Sequence, residues 1–100
     1  MAVAEISVVP VGTANASISD YVVGAVKIVR ASGLKYELSS MGTNVEGDVA
    51  SILDVVRRVH EACFEAGAVR VLTTLKIDDR RDKHLSIEGK KSAVTGKLKT

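Results

Sequence analysis

The stretch Tyr36–Asp48, YELSSMGTNVEGD, constrains the fold of this chain more than any other. It reads as two short strands joined at Ser40–Gly42, and the second runs into an aspartate that can begin a helix. So short a connection makes the two strands an antiparallel hairpin. The same stretch gathers Ser39, Ser40, Thr43, Asn44 and Glu46, the densest cluster of small polar groups in a largely aliphatic chain.

What flanks the hairpin is strand and helix before it, helix and strand after it. Ala2–Val11 is β-branched and alternating, with Ala4, Ile6 and Val8 on one face and Glu5, Ser7 and Val9 on the other; Pro10 and Gly12 end it. The loop VGTANAS follows, and Ser17 with Asp20 matches a capping box. The helix it opens, about 18–32, carries Tyr21, Val22, Ala25, Val26, Ile28 and Val29 as a stripe, and Gly33 is its C-cap. Leu34–Ser39 forms the second strand and Thr43–Gly47 the third. Asp48 caps a second helix reaching Ala66, with Val49, Ile52, Leu53, Val56, Val59, Cys63 and Ala66 as its buried stripe and Gly67 closing it. Ala68–Asp79 is the fourth strand, with Val71, Thr73, Leu75 and Ile77 on one face. After the polar loop DDRRDKH, a basic helix is expected over about 85–98, capped by Ser86, with Ile87, Lys91, Val94 and Leu98 on one side. Gly89 and Gly96 each weaken it by about 1 kcal/mol relative to Ala, so it needs something to pack against.

The first six elements make the split βαβ arrangement of ferredoxin-like domains: an α+β sandwich, βαββαβ, with a four-stranded antiparallel sheet, two helices on one face and an added C-terminal helix. One hundred residues fit a single such domain, 1–100. The sheet's other face would be uncovered, showing Leu72 between Arg70 and Thr74 and Val9 beside Ser7. A half-apolar open face of this kind is a candidate interface between copies.

Totals exclude several classes. A net charge of +2 gives no argument for nucleic acid, and the strands that would stack bases, AEISVVPV and TNVEG, hold no aromatic residue. Residues 80–100 carry seven Lys/Arg against Asp82 and Glu88, a basic tail that suits a solvated helix face, an anionic ligand or a neighbouring subunit. Cys63 stands alone, so no disulfide framework exists and a reducing, cytoplasmic setting is expected. No apolar run approaches the roughly 18 residues of a membrane span. No nucleophile–base pairing or phosphate-binding glycine motif occurs, so the chain is expected not to be an enzyme. His60 and Cys63, three apart, are two ligands at most, and no metal site is expected.

Three segments carry a resemblance: VVPVGTANASISDYV, YELSSMGTNVEGD and RVLTTLKIDDRRDKHLSIEGKKSAV. Together they cover essentially the whole chain, and the combination of MGT-x-x-EGD with RV-x-T-x-x-KID-x-R resembles the small thiamine-binding proteins of ferredoxin-like fold, the YkoF-like group. The resemblance implies binding of thiamine or its hydroxymethylpyrimidine moiety without chemistry on it, with no other cofactor. It also implies a homotetramer built as a dimer of dimers, packed through sheets and C-terminal helices. The other reading is a structural or regulatory oligomer holding a different small metabolite between subunits.

Within that frame Glu46 is the leading candidate for the ligand, because a carboxylate can share a proton with a ring nitrogen of an aminopyrimidine or accept from its amine. The bland reading is an acidic residue favouring a helix dipole. Thr43 offers a hydroxyl that donates or accepts. Strict alternation, however, places Thr43 with Val45 and Glu46 with Asn44 on opposite faces, so one ligand reaches both only if the strand bulges or ends early. Ser39 and Ser40 complete the polar set or simply serve the turn. Tyr36 stacks on a ring or packs on the core with its hydroxyl at the rim. Thr13, Asn15 and Ser17 are candidates for a pocket mouth. Asp78, Arg80 and Arg81 are read as surface or intersubunit pairs, and His84 has no assigned role.

Overall fold

A computed structural model of the chain describes residues 1–12 and 19–98. The element order is β1 (Ala2–Pro10), α1 (Ser19–Ala31), β2 (Lys35–Leu38), β3 (Thr43–Gly47), α2 (Val49–Glu65), β4 (Val71–Asp79) and α3 (Ile87–Leu98). The strands form one antiparallel sheet in the order β2-β3-β1-β4. This is the α+β order expected from the sequence. The Ser17 cap and the loop residues Thr13 and Asn15 lie outside the described residues.

Period-two alternation sorts β1 into two faces. Ala2, Ala4, Ile6 and Val8 are buried beneath α1 and α2, where they meet Val29, Val45, Ile52, Val55, Val59 and Cys63. Asp48 caps α2 by accepting from the Ser51 amide at 3.1 Å and the Ser51 hydroxyl at 2.7 Å. The buried stripe of α2 differs from the expected one. Val55 is 3% exposed and faces the sheet, whereas Leu53 is 49% exposed and faces out. Ile52, Val55, Val59 and Cys63 hold the inward line at 3-and-4 spacing, and the apolar residues on both shoulders hid where that line ran.

The second face of the sheet is not left wholly bare. Leu85 and Ile87, at the entry to α3, close over Val3 as a small separate cluster. Ser86 caps this helix through a bond from the Gly89 amide to its hydroxyl at 2.9 Å. Lys90 reaches Asp78 on β4, and Lys91 reaches Glu37 on β2 at 3.2 Å. Beyond Ile87, every described residue of α3 is exposed, including Val94 and Leu98. The chain measures 48 × 30 × 19 Å with a radius of gyration of 14.9 Å, above the roughly 13 Å of a typical hundred-residue domain.

Candidate functional site

The sheet is uneven, and that unevenness makes the site. Nine residues of β1 run beside β4, from Ala2 opposite Asp79 to Pro10 opposite Val71. On its other side β1 meets β3 only from Ala2 to Ile6, the last pair being Ile6 with Thr43. Past that pair the hairpin bends away. Ser39 donates both its amide and its hydroxyl to the Gly42 carbonyl at 2.9 Å, closing the turn over Ser40 and Met41. Gly42 lies so close to β1 that a Cβ on it would stand 2.9 Å from the Ile6 carbonyl oxygen.

The gap left beside Ser7–Val9 is a cavity of about 220 Å³. Val22, Ala25 and Val29 of α1 and Val59 of α2 wall it on the helix side, and Ser39–Thr43 of the hairpin close its end. It is smaller than the roughly 300 Å³ at which pockets for drug-sized molecules begin, a size suited to one heterocyclic ring. Its walls are mainly aliphatic, with a few polar groups. Thr43 is the buried one, 7% exposed, and its hydroxyl makes no hydrogen bond among the described residues. Ser40 is exposed at the rim, while the Ser39 hydroxyl is engaged by the turn.

The sequence-derived candidates divide between the two faces. Thr43, Ser39 and Ser40 come together at the cavity. Tyr36 shares the helix-side face with Thr43 but packs against the core and accepts a hydrogen bond from Arg30 Nε at 3.3 Å. Asn44 and Glu46 lie on the opposite face, since the pairing of β3 with β1 is unbroken from Thr43 to Gly47 and no bulge intervenes. Glu46 is 7% exposed, and its Oε1 accepts the Ile87 amide at 3.1 Å. It does serve a helix dipole, as the bland reading had it, but that of α3 rather than of the adjacent α2.

Sequence reasoning missed Ser7, Val8 and Val9, which line the cavity through the strand edge. The available signal was length: a nine-residue first strand cannot be matched by a five-residue third one. Elsewhere, Arg80 pairs with Asp82 and Arg81 with Asp79, which holds the two carboxyls below the usual carboxylate range. These residues, with Lys83 and His84, border a more open cleft beside Met1 and Asp48. His60 Nδ1 lies 2.7 Å from the Thr73 hydroxyl, and Cys63 is core, its thiol pushed up by burial. No group of three or more metal-ligating side chains occurs among the described residues.

Comparison with known proteins decides the family. The model of the family described as "Thiamine-binding protein" matches residues 4–95. The chain belongs to the thiamine-binding protein family. A UPF0045 protein of Methanothermobacter thermautotrophicus is 42% identical over 99 residues, covering 98% of this chain and 100% of that one. The UPF0045 protein YqgV of Bacillus subtilis is 40% identical over 102 residues, covering 98% of each. The crystal structure of protein MJ1052 from Methanocaldococcus jannaschii superposes with a TM-score of 0.88 at 39% identity, covering 94% of this chain and 95% of that one. A Thermotoga maritima structure, provisionally assigned to thiamine biosynthesis or salvage, gives 0.77 at 28% identity, covering 93% and 97%. The family match spans most of β1, the hairpin and most of α3, and so includes every residue that lines the cavity. No helix among the described residues is long and apolar enough to cross a membrane.

Proposed function

We propose that this chain, as one ferredoxin-like domain, binds thiamine through its aminopyrimidine ring, or the free hydroxymethylpyrimidine, as a carrier, buffer or sensor and without chemistry on it. The observation that carries this reading is the cavity beside β1: a ring-sized aliphatic slot ending in the unpartnered hydroxyl of Thr43. Aliphatic walls suit the ring faces, and a hydroxyl suits the ring nitrogens and amine. Ser39 and Ser40 stand at its hairpin end, where the rest of thiamine would leave the slot. In this proposal Glu46 and Asn44 act on the other face, Glu46 as the anchor of α3, and Tyr36 braces the core.

Isothermal titration with thiamine and with hydroxymethylpyrimidine tests the reading. Heat from either, competed by the other, is the expected result. No heat from both at millimolar ligand removes it.

The protein is further proposed to work in the cytoplasm as a homotetramer, a dimer of dimers. Support comes from α3, a twelve-residue helix with two glycines whose residues 88–98 are exposed. Helices this short are marginal in water without tertiary packing. The same observation supports the second reading, an oligomer holding another metabolite between subunits. Native mass spectrometry of freshly purified protein separates the two, because a retained molecule is identified by its mass.

A further inference from the structure

We propose that the main chain of Val8 reads the pyrimidine edge, its N–H and C=O pairing with the ligand as a residue of β3 would. This rests on the cavity being the pyrimidine site, and it names the atoms that give that site its specificity.

The direction of Val8's polar groups follows from its neighbours. The Val11 amide donates to the Arg70 carbonyl at 2.7 Å, in register with the β1–β4 ladder. Odd-numbered residues of β1 therefore direct their N–H and C=O toward β4, and even-numbered ones toward β3. Gly42 confirms this from the other side, because it is the Ile6 carbonyl oxygen that it approaches. Ile6 is met by Thr43, the last β3 residue in the ladder. Two residues on, Val8 directs its N–H and C=O to the same side, where no described residue pairs with it and the cavity lies. Pro10, the next residue facing that way, has no N–H to leave unmatched.

A donor and an acceptor side by side on a strand, away from water, carry a cost until something pairs with them. A 4-aminopyrimidine presents the complement, a ring nitrogen that accepts beside an amine that donates. Paired this way, the ring continues the path that β3 abandons at Thr43, with the aliphatic side chains of α1 and α2 on one side of it. A pyrimidine bearing a 4-oxo group with a protonated neighbouring nitrogen presents the opposite order in that orientation, acceptor where donor is needed, and pairs only if the ring turns over in the slot. The Thr43 hydroxyl, which both donates and accepts, cannot impose that choice.

The test compares hydroxymethylpyrimidine with its analogue carrying hydrogen in place of the amine, by calorimetry on the full chain. Loss of one hydrogen bond weakens binding about tenfold. In parallel, hydrogen exchange followed by NMR reports whether hydroxymethylpyrimidine protects the Val8 amide. Val8→Pro removes the donor on the side where β4 does not bond, so it weakens binding by a similar factor with the circular dichroism unchanged. Equal affinity for the two pyrimidines, or a Val8 amide unprotected while hydroxymethylpyrimidine binds, overturns the inference and leaves the binding function standing. If no pyrimidine binds at all, both fall together.

Discussion

The Glu46 carboxylate accepts a hydrogen bond from the Ile87 amide at 3.1 Å, joining the middle of the sheet to the first turn of the last helix across 41 residues of sequence. A hydrogen bond from a buried amide to a charged acceptor contributes about 1.5–3 kcal/mol. Glu46→Ala is therefore expected to lower the urea unfolding free energy by that amount. Glu46→Gln, which keeps an acceptor oxygen, should cost less. Neither should change pyrimidine affinity in titration, because Glu46 lies on the face of the sheet away from the cavity. A large loss of binding in Glu46→Gln with stability intact would return the ligand site to that face.

Asp48 gives a pH dependence whose sign is fixed. Its carboxyl is held below the usual range because the hydroxyl and amide of Ser51 both donate to it. An acid strengthened by folding stabilises the native state above its unfolded pKa, and that contribution fades as pH falls through the folded value. Asp48→Asn keeps a capping acceptor but never ionises. Its stability should fall below that of the wild type at neutral pH and converge with it as the pH drops below the ordinary carboxylate range and through the lowered folded value, as followed by urea midpoints.

The fold was legible because periodicity, caps and turn residues agreed along the chain. β3 and the Asp48 cap lie where the spacing put them. The candidate site was legible only in part. Thr43, Ser39 and Ser40 announce themselves as polar side chains in an aliphatic chain. Val8 does not, because what it presents to the cavity is a strand edge, and edges depend on where a neighbouring strand stops. The second role of Glu46 was hidden for a related reason. A buried carboxylate in a polar hairpin reads as a ligand group, and its bond to the Ile87 amide shows only once the segment 41 residues later is in place.

Thr43→Val tests the cavity itself. The replacement keeps the branched shape and removes a hydroxyl that bonds to no described residue. Stability should be little changed, since the hydroxyl opens onto the cavity and no protein hydrogen bond is lost with it. Pyrimidine affinity should fall about tenfold, the loss of one neutral hydrogen bond. Calorimetric titration beside a thermal melt reads both effects in one preparation.

Gly42→Ala tests how tightly the hairpin closes on β1. The added Cβ would meet the Ile6 carbonyl oxygen at 2.9 Å and Glu5 Cγ at 3.1 Å. The first of these is backbone and cannot rotate away, so the turn must shift. Overpacking of this kind costs about 1–3 kcal/mol. The same shift moves Ser39–Thr43, so weaker pyrimidine binding should accompany the lower urea midpoint.

The exposed length of α3 separates what the protomer needs from what an assembly needs. Val94 and Leu98 are 59% and 77% exposed, so neither supports the core of its own chain. A double replacement, Val94→Glu with Leu98→Glu, should leave the circular dichroism of the sheet and of α1 and α2 in place. If α3 packs against a second copy, the two carboxylates enter an apolar contact without partners, and a buried charge left unpaired is strongly unfavourable. Light scattering after size exclusion should then show the mass fall from that of a tetramer toward that of a dimer or monomer. An unchanged mass would mean that α3 is not what joins the copies, and would shift attention to Val9 and Leu72 on the open sheet face.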